Sequence, residues 1–242
     1  MDRMIFLSMS GAKAAMQRQD ALANNLANVS TPGFRAELEA FRAVPVLGSG
    51  ASTRVYTLET TTGYDPTPGA ITATGRNLDV AMSGNGWLTV QALDGTEAYT
   101  RGGALDVSND GTLTTRGGLP VLGDGGPLQV PPNTAVSIGA DGTVSAKGTD
   151  GKTTAVGKLK LVTPETPLLR GEDGLFRAAD GTSLSADTTA RVQDGALEGS
   201  NVSAVGSMVS MISAARQFEA QMKMLQTADA NEKSAAQLLS AT

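Results

Sequence analysis

Few residues in this sequence have the types and spacing to do chemistry, and each has a competing structural explanation. Ser10 and Lys13 stand in the Ser-x-x-Lys spacing of acyl-transfer enzymes, where an amine activates a nucleophilic hydroxyl. The Ser-Asp-Asn and Lys-Thr-Gly partners of such sites do not occur, and the pair falls inside an amphipathic pattern. Gly84-Asn85-Gly86 is a lone Gly-x-Gly without the strand–helix context of a nucleotide site, and it reads as a turn. The repeated Asp-Gly pairs suggest calcium, but none is followed by the clustered acidic ligands and distal Glu of a calcium loop. Glu172-Asp173 and Asp180 are the best candidates for paired carboxylates, yet they lie beside turn glycines and read as exposed surface. No catalytic, cofactor-binding or metal-binding residue is expected.

Composition narrows the chemistry further. The 242 residues contain no histidine and no cysteine, which excludes Cys/His zinc sites, His-assisted nucleophiles and disulfides. The net charge of −5 argues against general affinity for nucleic-acid phosphates, since dense Lys/Arg is what displaces their counterions. The longest apolar run, Met4-Ile5-Phe6-Leu7, is far short of the roughly 20 residues of a membrane span. It also fails as a secretory signal, because Ser8, Ser10 and Lys13 interrupt it. The segment is therefore expected to belong to the mature protein, without a cleaved leader.

Glycine and proline divide the chain. Residues 1–31 and 200–242 contain only Gly11 and Gly206 and no proline, while the middle holds every other glycine and all ten prolines. Methionine runs the other way: of the nine, only Met82 lies between those ends. This partition predicts a helix at each end and turn-rich structure between. The first stripe is Ile5, Met9, Ala12, Met16, Ala23 and Leu26, interrupted at Gln19. The second is Ala204, Met208, Met211, Ala215, Phe218, Met222 and Leu225, resuming at Ala236 and Leu239. Their alternating four-and-three spacing is that of a coiled-coil seam. The first helix should stop before Pro32-Gly33, and Ser200 or Asn201 should cap the second.

The middle reads as β structure. Asp-Gly recurs at 94–95, 110–111, 124–125, 141–142, 150–151, 173–174, 180–181 and 194–195, with Asn-Gly at 85–86. These dipeptides are strong hairpin signals because both residues tolerate positive φ. Strand-like pieces lie among them at Trp87–Val90, Thr112–Thr114, Ala135–Ile138 and Lys158–Val162. The expected fold class is α+β, with long N- and C-terminal helices pairing as a coiled coil and an all-β central module. The expected division is 1–34 for the first helix and its turn, 35–199 for the β module with linkers, and 200–242 for the second helix.

Three stretches share one resemblance. The first, Ala23-Asn24-Asn25-Leu26-Ala27-Asn28-Val29-Ser30-Thr31-Pro32-Gly33-Phe34, resembles the N-terminal signature of the bacterial flagellar rod and hook proteins. The central one runs from Leu78 to Trp87 and continues in Tyr99-Thr100-Arg101-Gly102. The last is Gly195-Ala196-Leu197-Glu198-Gly199-Ser200-Asn201-Val202, followed by Met208-Val209 and Arg216-Gln217-Phe218-Glu219-Ala220. Length and the Ser-Thr-Pro-Gly-Phe-Arg form look most like a proximal-rod subunit, with the distal-rod subunit as the alternative. Gln217-Phe218 and Trp87 depart from the common pattern conservatively. The resemblance implies a non-enzymatic subunit of the basal-body rod where it crosses the periplasm, exported by the flagellar type III apparatus. It also implies that copies of the chain and other rod proteins are its partners, with terminal helices packed in a helical tube.

The expected assembly interface is Ile5, Met9, Met16, Asn24, Asn25, Leu26, Asn28, Met208, Met211, Phe218, Met222 and Leu225. The asparagine amides either set register across a subunit contact, as a buried asparagine does in coiled coils, or mark a fraying helix end. Pro32, Gly33 and Phe34 should turn the chain after the first helix, with Phe34 packing beneath. The rival of a different class is a secreted ligand-binding β module with coiled-coil ends, whose sign would be an exposed aromatic platform.

Overall fold

The computed structural model describes residues 2–45 and 55–240. They divide into two compact units. The first contains 1–29, 36–65 and 202–242, and the second 30–35 and 66–201. The boundaries differ from the compositional division at residue 35, because the segment after the first turn doubles into a hairpin that belongs with the helices.

In the first unit, α1 spans Asp2–Ala27 and α2 spans Ala204–Ser240. At 1.5 Å per residue they are about 39 and about 56 Å long. The hairpin pairs β1, Glu37–Pro45, antiparallel with β2, Val55–Tyr64, with a bulge between Leu38 and Ala40. Both α2 and the hairpin pack on α1. Neither residue expected to cap α2 does so. Ser203 Oγ accepts from the Gly206 amide at 3.2 Å and satisfies one of the free donors of the first turn.

The seam positions differ from the expected ones in a regular way. The sheltered residues of α1 include Ile5, Ser8, Ala12, Ala15, Gln19, Leu22 and Leu26 at this spacing, and beside them Gly11, Ala21 and Asn25. Those of α2 include Ala204, Ser207, Met211, Ala214, Phe218, Gln221, Leu225 and Ala228, and also Ser210, Ala215 and Ala235. Every seventh position agrees with the expectation, and most residues between are displaced by one: Ser8 for Met9, Ala15 for Met16, Ser207 for Met208 and Gln221 for Met222, while Ala214 and the expected Ala215 are both sheltered. Small side chains permit close approach of two helix axes, so they occupy the inside. At Gly11 an added Cβ would lie only 2.9 Å from the Gln221 side chain. The side chain of Leu239 lies outside the described residues.

The second unit is built from short antiparallel strands. Its main sheet contains β5 (Trp87–Gln91), β6 (Glu97–Thr100), β14 (Leu161–Val162), β15 (Leu169–Arg170) and β16 (Phe176–Arg177), in the order β14-β5-β6-β16-β15. A three-stranded sheet joins β11 (Ala135–Ile138), β12 (Thr143–Lys147) and β13 (Thr153–Lys158). Two further hairpins pair β7 (Leu105–Val107) with β8 (Leu113–Thr115) and β9 (Leu122–Gly123) with β10 (Gly126–Pro127). The last strands return to the first: β17 (Val192–Asp194) pairs with β4 (Val80–Met82), and β18 (Ala196–Glu198) with β3 (Ile71–Ala73). The core is aliphatic, with Val80, Leu88, Val90, Leu105, Leu113, Val121, Val144 and Leu161 almost wholly buried. Trp87 and Phe176 cap it, their rings 4.7 Å apart and tilted by 56°.

The Asp-Gly pairs are turns. Those at 94–95, 110–111, 124–125, 141–142, 150–151 and 173–174 each lie between two strands that pair with one another. Asn85-Gly86 is not a hairpin turn, since β4 and β5 pair elsewhere and the positive φ falls on Gly84. The expected strand 158–162 breaks at 159–160, between β13 and β14. Asp-x-Thr supplies a second device, in which the carboxylate accepts from the amide and hydroxyl two residues on, as at Asp94–Thr96, Asp141–Thr143 and Asp180–Thr182.

Asp187 carries this furthest. It accepts from Thr163 Oγ1 and Thr189 Oγ1, each at 2.6 Å, and from the Thr189 amide at 2.8 Å. Those hydrogen bonds, the Thr163 hydroxyl foremost, lower its pKa from 3.8 to about 2. Because the folded value lies below the unfolded one, the contribution to stability is complete above the unfolded pKa and lost as pH falls through about 2. An NMR titration of the side-chain carboxyl should therefore give a midpoint near 2 for Asp187, and Thr163→Val should raise it.

Candidate assembly site

Two features answer to the residues singled out from the sequence, one in each unit. In the second unit, the turn after α1 is bound into a buried ion-pair cluster. Gly33 has φ 71°, and a Cβ there would lie 2.2 Å from the Arg101 carbonyl carbon, so only glycine fits. Its amide donates to the Glu198 carbonyl at 2.8 Å, and the Phe34 amide closes the turn on Thr31 at 3.2 Å. Phe34 is buried, with the Arg170 guanidinium 4.5 Å from its ring centroid. The expected turn at Pro32, Gly33 and Phe34 is present, and a charged residue beside it proves to be part of the same structure.

That residue is Arg35. Its Nη2 lies 2.8 Å from Glu198 Oε1, while Arg101 binds Oε2 through Nε at 2.8 Å and through Nη2. Arg35, Arg101 and Glu198 are each no more than 3% exposed. The Gly69 amide also donates to Glu198 Oε1, at 3.0 Å. Two cations around one anion leave a surplus positive charge, which carbonyl oxygens meet. Arg101 donates to Gly84, Gly86 and Met82 at 2.8, 2.7 and 3.1 Å, and Arg35 Nη1 donates to Thr67. Trp87 stands 5.9 Å from the Arg101 guanidinium. Asn201 closes the cluster, its amide NH₂ donating to the Thr67 carbonyl at 3.0 Å and its backbone amide to Phe34 at 3.3 Å.

In the first unit, the asparagines expected to reach across a subunit contact have bonds within the chain. Asn25 is buried and acts as a substitute strand: its amide NH₂ donates to the Glu37 carbonyl at 3.0 Å, and its oxygen accepts from the Glu37 amide at 2.8 Å. Asn24 donates to Glu37 Oε2 at 3.2 Å, and Asn28 donates to Asn24 Oδ1 at 2.8 Å and to its carbonyl at 3.0 Å. The amides tie the end of α1 to the start of β1.

Among the expected interface residues, Ile5, Leu26, Met211, Phe218 and Leu225 are half-buried, whereas Met9, Met16, Met208 and Met222 are exposed. They have company: Phe6 on α1, and Val205, Val209, Ile212 and Met224 on α2, are also exposed. The residues expected to act together thus fall into a sheltered seam and an outer apolar face. Elsewhere, Ser10 and Lys13 sit within α1, and the carboxylates of Asp94, Asp141, Asp150, Asp173 and Asp180 accept bonds within their own turns. Among the described residues no group of three or more His, Cys, Asp or Glu is arranged to hold a metal, and no helix is long and apolar enough to cross a membrane. The aromatic side chains of the second unit, Phe34, Trp87, Tyr99 and Phe176, are all buried, so they form no exposed platform.

Comparison with known proteins decides the family. The chain is 48% identical to the flagellar basal-body rod protein FlgF of Salmonella typhimurium, over 99% of both chains. The chain belongs to the flagellar basal-body rod protein family. It is also 33% identical to FlgF of Buchnera aphidicola over 98% of both chains, and 32% identical to the rod protein FlgG of Bacillus subtilis over 94% of this chain and 95% of that one. Three models for the rod family match in sequence order. They are flagella basal body rod protein at residues 7–35, the FlgE/F/G D1 domain of the flagellar hook protein at 81–146, and the FlgEFG C-terminal region at 193–238.

Each rod-family segment contributes one member of the ion-pair cluster: Arg35 from the first, Arg101 from the second and Glu198 from the third. None of the three was among the residues expected to function. The available signal was charge inside otherwise apolar or glycine-rich stretches, as in Thr100-Arg101-Gly102 and Leu197-Glu198-Gly199.

Removing one partner of a buried pair strands the others. Glu198→Gln should destabilise the second unit by about 3–5 kcal/mol. Arg101→Lys should also destabilise it, since an ammonium lacks the fork that reaches both the carboxylate and three carbonyls. Urea unfolding of the full chain, followed by fluorescence of the single tryptophan Trp87, reads this unit directly.

Proposed function

We propose that the chain is a non-enzymatic subunit of the bacterial flagellar basal-body rod that polymerises through its terminal helices and transmits torque along a helical shaft. Its partners are further copies of itself and other rod proteins, and the flagellar type III apparatus delivers it. Higher identity to FlgF than to FlgG favours the proximal-rod subunit over the distal-rod alternative. The observation that carries the assembly role is the outer apolar face of the helices. Met9 and Met16 on α1, and Met208 and Ile212 on α2, are each 50–56% exposed although Ser and Ala fill the sheltered seam beside them. Apolar side chains at this density on a surface mark an interaction site. Methionine, unbranched and adaptable, suits contacts with neighbours of slightly different shape.

In this reading the sheltered seam pairs α1 with α2 as a coiled coil, and the outer face meets the neighbouring subunit. The two roles separate by mutation. Met9→Asp and Met222→Asp place a charge on the outer face and should abolish incorporation into purified basal bodies while leaving Trp87 fluorescence native. Leu26→Asp lies in the seam and should also loosen the helix pair, seen as loss of helical circular dichroism. Asn231→Asp, at an exposed polar position, should be neutral. Normal motility and incorporation with Met9→Asp and Met222→Asp would refute the assignment of the outer face.

A further inference from the structure

The second unit presents one almost fully exposed apolar side chain and, at the other end of the neighbouring strand, a cavity. Leu93 is 97% exposed, the most exposed large apolar residue described. It stands on the β5–β6 turn, which is stiffly held. Ala92 and Gly95 close it with backbone bonds of 2.9 Å, and Asp94 accepts from the Thr96 amide and hydroxyl at 2.9 and 2.6 Å. A leucine fixed in that position loses little freedom on insertion elsewhere.

Strand β6 runs from this turn to Thr100, and beyond it lies a cavity of about 340 Å³. Pro32, Gly102, Ala104, Leu119 and Leu175 give it largely apolar walls, and Arg116 stands at its edge. The charges beside the two features are opposite. Asp94 follows Leu93, and its hydrogen bond from the Thr96 side chain keeps its carboxyl below the ordinary range and so ionised, with Arg177 3.7 Å away as its neighbour within the chain. Arg116 is exposed and makes no ion pair among the described residues.

We infer that Leu93 of one copy inserts into the Pro32–Leu175 cavity of the next, with Asp94 meeting Arg116, so that the β modules join head to tail. The contact is heterologous, with different surfaces on its two sides, and repetition of such a contact gives a row or a ring rather than a closed pair. It rests on the assembly reading above and extends it from the helices to the β module.

The chain has no cysteine, so single cysteines report the contact directly. Leu93→Cys alters an exposed side chain. Gly117→Cys, beside Arg116 in the cavity wall, has ordinary φ, and a Cβ there meets nothing nearer than the Thr115 hydroxyl at 3.7 Å. Cells lacking the native subunit would express the two variants together and separately, and purified basal bodies would be oxidised and probed for cross-linked dimer. The expected result is a dimer from the mixture and none from either variant alone. A dimer from Leu93→Cys alone would mean a symmetric contact and overturn the proposal. Incorporation of both variants without a mixed cross-link would overturn it too, leaving the rod assignment intact. Failure of the unaltered chain to enter basal bodies would overturn both. As a cysteine-free check, Arg116→Glu should lower incorporation several-fold and Arg116→Lys should retain it. Equal incorporation of the two would count against the contact.

Discussion

The carboxylate of Glu198, held between the guanidinium groups of Arg35 and Arg101, is the point on which the β module depends. Burying three charged groups is costly, and their attraction repays that cost only where every remaining donor is met. Here the repayment comes from the backbone: carbonyls at Thr67, Met82, Gly84 and Gly86 accept from the arginines, and the Gly69 amide donates to the carboxylate. Much of the glycine around it follows from this crowding. At Gly69 a side chain would strike the Gly199 carbonyl, and at Gly33 the backbone of Arg101. The cluster also explains why Asn85-Gly86 makes no hairpin, since that loop is shaped to turn its carbonyls toward Arg101.

Spacing and composition do not identify the cluster. Glycine and proline partition revealed the two helices and the β region, because those residues act through local backbone preference, which any sequence displays. Asp-Gly likewise marked most hairpins, the φ requirement being local. The cluster is non-local: Arg35, Arg101 and Glu198 are far apart in sequence, and a charged residue in a glycine-rich stretch ordinarily means solvent. The hairpin β1–β2 was absorbed into the β region for a similar reason, as only tertiary packing assigns it to the helices.

The helix seams show a different kind of limit. Both the expected stripe and the actual one have four-and-three spacing and share each seventh residue, so periodicity does not separate them. Choosing the larger side chains for the inside favoured Met9, Met16, Met208 and Met222. Ser8, Ala12, Ala15, Ser207 and Ala214 are the sheltered residues instead, and methionine is left outward. A large apolar residue needs a neighbour, but the neighbour need not be in the same chain. Asn25 is a similar case: its composition suggested a contact with another subunit, yet its amide completes the hydrogen bonding of β1.

The pairing of β17 with β4 and β18 with β3 has a temporal consequence. A chain that emerges N-terminus first presents Arg35 and Arg101, together with the edges of β3 and β4, long before their partners arrive. Until residues 192–198 appear, both guanidiniums lack their carboxylate and the early strands lack their mates. The sheets within residues 87–177 can pair earlier, but β3, β4 and the ion-pair cluster are completed only when little more than the final helix is still to come. Any step that requires the chain to be threaded as an extended polymer gains time from this arrangement. The last strands act as the fastening that ends it.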